Sequence, residues 1–568
     1  MNIPRPEHPN PQFAREQWLC LNGTWDFLKD PGQSGAERKF YEKDVVYPQQ
    51  ITVPFCPQSS LSGLSDTDFM SSVWYRRTVT VTKEQLSGIV LLHIDACDYL
   101  TTVYVNGQSA GEHRGGYISF CFDITPYLTE GENLLVIHAE DNERDPLIPR
   151  GKQCEFYHSC GCEYTRTTGI WQTVWLEYLP QTHIASVKYY PDIHGALTLH
   201  ANLVGSGTLT AKAFYEGRPV GEASLCSGGG AETLRLALSE THLWKPGHGR
   251  LYDLILTYGD DSVNSYFGLR SMRLDGYKFR INEVSVFQRL ILDQGFNPQG
   301  IYTAPSDDFL REDIERALAM GFNGARLHER IFEPRFLYHA DKMGYLVWGE
   351  YPNWGLDHSR PDSVYPILYE WMEEIDRDFN HPSIIGWCPF NETWDQHGRK
   401  LHDDVLRMVY RVTKALDPTR PCIDSSGGYH VETDIYDVHD YEQNPAVFKP
   451  RYDKLMETGE LYDHLGDRQQ YQIGQPTFVS EYGGIRWSDG DGWGYGNAPK
   501  TAEEFLARYQ GLTEALLQNN RFFAFCYTQL TDVEQEQNGL YTYDRKPKFD
   551  PAVIKAITAQ PAAIEQED

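Results

Sequence analysis

Long apolar runs are missing from this sequence. None of its 568 residues opens a stretch approaching about 18 consecutive apolar side chains, so no membrane-spanning helix and no membrane partner are expected. The N-terminal MNIPRPEHPNPQFAREQW lacks the apolar segment of a secretory leader, and a cytoplasmic protein is expected. Positive charge is also short. Lys and Arg number 51 against 80 Asp and Glu, a net charge of −29, so nucleic-acid phosphates are not a fitting partner. Cysteine is sparse and irregular. Of the eleven, Cys154, Cys160 and Cys162 form a C-x-C without a second ligand pair, which predicts reduced thiols rather than a zinc site. Tyr and Trp, at 36 and 13, are plentiful. Their flat apolar faces with one polar handle suit sugar rings, and suit the cores of β-rich folds equally well.

At roughly 100–200 residues per domain, the length allows three or four domains. Over 1–180, short alternating segments such as LNGTWDF, SVWYRRTVTV and NLLVIHAED, separated by turn residues, predict a jelly-roll β-sandwich. Within it, Val103-Tyr104-Val105 followed by Asn106-Gly107 predicts a hairpin with a type I′ turn. Over 181–273 the β rhythm continues in HIASVKYYPD, GALTLHANLVG, LTAKAFYEG and LYDLILTYG, which predicts an immunoglobulin-like β-sandwich of about seven strands. Over 274–568 strands and helices alternate. VSVFQRLILD, GARLH, YLVWGE, SIIGWCPF, PCIDSS, IYDVHD, PTFVSE and FFAFCYTQ are the strand candidates. Leu310, Ile314 and Leu318 form one helical stripe; Phe505, Leu506, Tyr509, Leu512 and Leu516 form another. Eight such strands predict a (β/α)8 TIM barrel. A doubly wound open sheet would want a Gly-rich first turn, which is absent.

Barrel enzymes gather their functional groups at the C-terminal ends of the strands. GWCPFNETWD runs from the fourth strand straight into Asn391-Glu392, and FVSEYGG brings Glu481 to the end of the seventh. One glutamate at a strand end can be a helix cap or an ion-pair partner. Two that face each other are a chemical arrangement: about 5–5.5 Å apart they perform retaining glycoside hydrolysis, about 6.5–9.5 Å apart the inverting reaction. Trp387, Pro389, Phe390 and Trp394 surround Glu392 in sequence and predict a raised pKa, as a proton donor needs. Glu481, beside Tyr482 and two glycines, is expected to be ionised.

HPSIIGWCPFNETW resembles the acid/base signature of glycoside hydrolase family 2, the family of β-galactosidases, β-glucuronidases and β-mannosidases. QPTFVSEYGG resembles its nucleophile signature. YTRTTGIWQTVWLE is similar to the last strands of its jelly roll, FGLRSMRLDGYKFRIN to its lead-in to the barrel, and GFNGARLHERIFEPRFLYHADKMGYLVWGEYP to its second and third strands. The resemblance implies Glu392 as acid/base and Glu481 as nucleophile. It also implies Asn391 as donor to the sugar 2-hydroxyl, Tyr441 as a contact to the nucleophile, and Arg326 as a buried cation orienting Glu481. His328-Glu329 replaces a Ser-His pair of many members, and with His439 of VHD these residues can contact sugar hydroxyls. Trp487 can stack on substrate or serve as a plain wall.

Two departures bear on the sugar. Members acting on uronic acids carry an Asn-x-Lys pair whose Lys grips the sugar carboxylate; here the positions read Glu536-Gln537-Asn538. A glutamate there repels a uronate, which disfavours a β-glucuronidase or β-galacturonidase unless Arg330, Arg335 or Arg486 supplies charge. Large β-galactosidases hold magnesium with a Glu and a His after strand three; the matching residues, Trp354 and Leu356, offer no oxygen to a hard cation, so neither metal nor cofactor is expected. The expectation is an exo-acting retaining β-glycosidase of glycosides or oligosaccharides, β-galactosidase-like first and uronide-specific second. A non-catalytic sugar-binding barrel would lack a carboxylate, and neither is lacking. Homo-oligomerisation is left open.

Overall fold

The computed structural model describes residues 3–395, 398–465, 469–488 and 490–566. The first part is a two-sheet sandwich. One sheet has the order Trp18–Cys20, Val174–Leu179, Ile89–Ile94, Phe120–Asp123. The other runs Gln49–Val53, Gly23–Lys29, Ser72–Val81, Gly131–Glu140, Leu100–Val105, Gln108–Arg114. Trp25, Phe27, Tyr75, Leu92, Ile137 and Leu176 fill the space between them. The hairpin at Asn106-Gly107 forms as its sequence requires, with φ of +51° and +80° at the two turn residues, values glycine and asparagine adopt at least cost.

A second sandwich follows, of three strands (His183–Asp192, Ala196–Val204, Gly230–Ala237) and four (Arg218–Ser227, Gly207–Tyr215, Tyr252–Tyr258, Asp261–Phe267). Alternate residues point inward, so Leu197, Leu199, Leu209, Leu254 and Leu256 meet in its core.

The third part is the barrel. Seven strands are parallel and hydrogen-bonded in the order Ile384–Cys388, Leu346–Glu350, Gly324–Leu327, Gln288–Asp293, Phe522–Thr528, Thr477–Gly483, Tyr436–Asp440. They are buried on both faces, which is why the eighth reads FFAFCYT without a polar alternation. Helices coat the outside. Asp307–Ala319 is started by the Ser306 side chain, which accepts from Phe309 N, and carries Asp307 and Asp308 in its first turn, where the helix dipole favours them. Leu310 and Ile314 of the expected stripe are buried on it, while Leu318 is partly buried. The Phe505, Tyr509, Leu512 and Leu516 stripe lies on Ala502–Leu517.

The fifth strand, expected at PCIDSS, is not a regular strand. Pro421–Ser426 takes the fifth place through two parallel bridges, Trp387 to Cys422 and Asn391 to Ser426. Local side chains explain the break. Asp424 accepts the backbone N–H groups of Ser425, Val431 and Glu432, which bends the chain away from a ladder. Ser426 Oγ donates to Asp437 Oδ2 at 2.6 Å, so a side chain closes the gap to the sixth strand. Among the described residues no helix is long and apolar enough to cross a membrane.

Candidate active site

Glu481 lies in the seventh barrel strand, paired in register with His439 of the sixth. Both its oxygens are engaged: Oε1 accepts from Arg326 Nη1 at 3.1 Å, and Oε2 accepts from the Tyr441 hydroxyl. Arg326, on the second strand, is almost wholly buried and divides its donors among several partners. Nε reaches Glu350 Oε1 at 2.5 Å, Nη1 also reaches Ser480 O at 2.8 Å, and Nη2 reaches Asn391 Oδ1 at 3.1 Å. One planar guanidinium thus fixes Glu481, Asn391 and a second acid, Glu350, at once. Burial by itself would lower the Arg326 pKa, but Glu350 and Glu481 outweigh it and hold it well above its usual value. Asn391 keeps one buried amide donor, Nδ2, without an acceptor, a vacancy that a sugar hydroxyl would satisfy.

Glu392 follows the fourth strand with its backbone in the left-handed region, at φ +52°. For a non-glycine residue that costs on the order of 1–3 kcal/mol, a strain that clusters at functional sites. Its amide donates to Ser426 O at 2.8 Å, which anchors the turn. Its Oε1 lies 2.8 Å from His439 Nδ1, while His439 Nε2 lies 3.5 Å from Glu481 Oε1. One oxygen of each glutamate and one ring nitrogen of His439 all fall within 4.8 Å of one another. That approach matches the short spacing of retaining hydrolysis and falls well below the inverting one. The Glu392 side chain is 20% exposed and that of Glu481 5%, so Glu392 is the one with room for an incoming glycosidic oxygen.

The expected apolar collar around Glu392 is not what the structure builds. Trp387 points into the helix layer, where its indole donates to Asp417 at 2.8 Å and packs on Trp371. Phe390 is wholly buried and meets His358 edge-on. Burial does push the Glu392 carboxyl up, but His439, Lys152 and Arg326 outweigh it, and its pKa is lowered rather than raised. His439 shows the opposite balance: burial lowers it, Glu481 and Glu392 raise it, and the net shift is upward. The opposite directions of the two shifts favour placing a shared proton on the imidazole over the carboxyl.

The remaining candidates divide. His328 Nδ1 sits 3.1 Å from Glu350 Oε2, and burial drops its pKa well below the usual value. Glu329 is buried at φ +51°, with Oε2 accepting from Trp354 N and Oε1 unpartnered. Glu536 accepts from the Tyr164 hydroxyl and from Asn538 Nδ2, and Asn538 Oδ1 accepts from Gln529. Asn538 is thereby a fully buried strut. Trp487 packs on Phe505 and Phe549, with no contact to either carboxylate.

Sequence reasoning missed Glu350, although it ends the third strand and the strand-end rule could have found it. It also missed Lys152 and Tyr164, and weighed Trp354 only as a position without a metal ligand. Lys152 and Tyr164 sit in an irregular loop of the first sandwich, without periodicity to mark them. The loop packs across the barrel mouth: Arg150 N and Gly151 N donate to Trp354 O, and Thr165 N donates to Glu534. Tyr495 stacks flat on Tyr441 at 3.5 Å.

Glu392, His439 and Glu481 are also the cluster that could hold a metal ion among the described residues. Arg326 and Lys152 already place positive charge there, which works against a further cation. At position 354 the Lys152 ammonium lies 3.5 Å from the indole centroid, so a cation occupies the face that a magnesium ligand would present elsewhere.

Residues 19–176 match the description "Glycosyl hydrolases family 2, sugar binding domain", and residues 305–560 match "Glycosyl hydrolases family 2, TIM barrel domain". A β-glucuronidase of Paenibacillus borealis is 22% identical, with 93% of this chain and 94% of that one covered. A putative β-glucuronidase of Formosa agariphila is 27% identical over 73% of this chain, and a β-galactosidase of Thermoanaerobacter pseudethanolicus 26% over 72%. The chain spans about half the length of these last two, 50% and 56%. In fold, the solved β-glucuronidase of an uncultured Clostridium sp. is similar with a TM-score of 0.79 at 19% identity, covering 96% of this chain and 99% of that one. With both descriptions matched across sandwich and barrel, the chain belongs to glycoside hydrolase family 2.

Proposed function

We propose that the protein is an exo-acting, retaining β-glycosidase that removes a terminal sugar by double displacement. The observation that carries this reading is the approach of one oxygen of Glu392 to one of Glu481 within 4.8 Å. Glu481 attacks the anomeric carbon; Arg326 and Tyr441 hold it aimed. Glu392 protonates the departing oxygen with a proton drawn from His439 at 2.8 Å. A covalent glycosyl-Glu481 results. Water then attacks the same carbon as Glu392 takes its proton, and Glu481 leaves. Asn391 Nδ2 bonds the sugar 2-hydroxyl as charge develops on the ring. The sandwich loop walls one side of the opening, which supports attack on a chain end.

For the sugar, a β-galactoside is the reading the sequence favours. A β-uronide is the second, and the placement of Glu536 favours it: both oxygens are held by Tyr164 and Asn538, so the repulsion expected of this residue is blunted. Incubating aryl β-galactoside, β-glucuronide, β-galacturonide, β-mannoside and α-L-arabinoside with the protein, and following the first-formed anomer by proton NMR, tests the reaction class. Retention of the β configuration is expected. An α-configured first product would sink it.

A further inference from the structure

Lys152 is a buried cation without an anion of its own. It is 5% exposed, and its ammonium lies 3.5 Å from the Trp354 ring centroid. Among the described residues no carboxylate oxygen comes within 4.0 Å of it, and no acceptor bonds it. A desolvated ammonium left so is costly until something pairs with it. The loop is nevertheless built to hold it there. Arg150 N and Gly151 N donate to Trp354 O at 2.8 and 3.2 Å, and Tyr164 N donates to Lys152 O at 2.7 Å. Gly151, at φ +54°, leaves no room for a Cβ, which would come within 2.4 Å of Glu329 O.

A second group nearby is also unpartnered. Glu329 Oε1 is buried and bonded to nothing, and burial holds the Glu329 carboxyl well above the usual carboxylate range. Burial works against the charge on Lys152, but Cys162, Glu392, Glu329 and Glu536 together raise its pKa. The pocket therefore holds an ammonium without a paired anion beside a buried carboxyl oxygen without a bonding partner.

We propose that Lys152 pairs with the carboxylate of a β-linked uronic acid, so that the substrate is a β-glucuronide or β-galacturonide; this rests on the glycosidase reading above. The other cations considered for the task are placed less well. Arg330 donates to Gly295 O and Tyr302 O, and Arg335 is paired with Asp307. Asn538 is locked between Gln529 and Glu536. Arg486 bonds Gly490 O and retains a free Nε, which makes it the control.

The test compares kcat/KM for aryl β-glucuronide, β-galacturonide, β-glucoside and β-galactoside in the wild type and in Lys152→Met, Lys152→Arg and Arg486→Gln. The wild type should prefer a uronide. Lys152→Met should cut uronide turnover roughly 30- to 3,000-fold more than turnover of the neutral glycosides, which lose only what the altered charge around Glu392 takes from every substrate, and Lys152→Arg should restore part of the difference. Comparing the two uronides identifies which sugar carries the carboxylate. A wild type that prefers neutral glycosides, a proportional loss on all substrates in Lys152→Met, or loss of the preference in Arg486→Gln instead, would overturn the inference and leave the glycosidase standing. Titration calorimetry with free D-glucuronate and D-galacturonate separates the two claims. Binding lost in Lys152→Met without any turnover by the wild type would keep the lysine and remove the glycosidase. No turnover and no binding would remove both.

Discussion

Replacing Glu392 by Ala removes the group that the geometry makes the proton donor, and the size of the effect should depend on the leaving group. Positioned general acid–base catalysis contributes about 10²–10⁴-fold, which at about 1.36 kcal/mol per decade is roughly 2.7–5.5 kcal/mol of barrier. A dinitrophenolate departs without help, so kcat/KM for a dinitrophenyl glycoside should fall less than roughly tenfold, and a methyl or phenyl glycoside should lose the whole factor. The second step loses its base with either substrate, so kcat on the dinitrophenyl glycoside should collapse as glycosyl-enzyme accumulates. The structure adds a detail. Truncation leaves His439 Nδ1 facing the space from which Glu392 Oε1 had approached to 2.8 Å, with Arg326 and Lys152 charged nearby. A small anion should fill that space. Azide is expected to restore kcat and to give the β-glycosyl azide, read by stopped assay and NMR. Equal losses on good and poor leaving groups, or an α-azide, would refute Glu392 as the acid.

Three further outcomes follow from the same contacts. Arg326→Met strands Glu350 and Glu481, whose side chains are 1% and 5% exposed, and breaking a buried pair costs about 3–5 kcal/mol; a lowered Tm and lost turnover are expected, with Glu350→Gln recovering part of the Tm but not the turnover, and an unchanged Tm would deny the network its structural role. His439→Gln should shift the pH profile. The raised His439 pKa gives stability that is complete below about 6.5 and lost as pH rises through the folded value, while the lowered Glu392 pKa gives stability present above about 4.3 and lost as pH falls through its folded value. Without the imidazole, Glu392 must hold the proton alone, so the alkaline limb of kcat/KM should move to lower pH; an unmoved limb would take His439 out of the proton path. Dialysis against EDTA should leave kcat/KM unchanged, since Trp354 and Leu356 offer no hard ligand, and a loss restored by magnesium would contradict this.

Repeating, local signals were legible in the sequence. The Asn106-Gly107 turn, the inward stripes on 307–319 and 502–517, and seven of the eight barrel strands each follow from a period or a turn residue acting over a few positions. The strand-end rule likewise pointed to Asn391-Glu392 and Glu481, and the family resemblance added Arg326 and Tyr441. Long-range partners were not legible. PCIDSS looks apolar enough for a strand, but Asp424 takes backbone donors from seven and eight residues onward. Neighbours in sequence misjudged Glu392 because successive strand residues face opposite ways, so Trp387 warms the helix layer while His439, from another strand, sets the charge. Lys152 carries no local mark at all; its meaning arises only where a sandwich loop meets the barrel.

The charges of the site explain why that meeting matters. Four buried carboxyl groups, Glu329, Glu350, Glu481 and Glu536, and the half-buried Glu392 are grouped around three cations, Arg326, His439 and Lys152. Such an excess of acid in a dry pocket cannot all ionise, because each uncompensated charge is penalised by burial. The pKa values of Glu329, Glu350 and Glu536 are raised, whereas that of Glu392, in contact with His439, is lowered. Burial thus works against ionisation of the framing acids, while the contact with His439 favours it at Glu392. Two of the cations belong to the barrel; the third is delivered by the sandwich. Neutralising Lys152 would leave the barrel with more acid than it can compensate, so the first domain acts on the site as a supplier of charge as well as a wall.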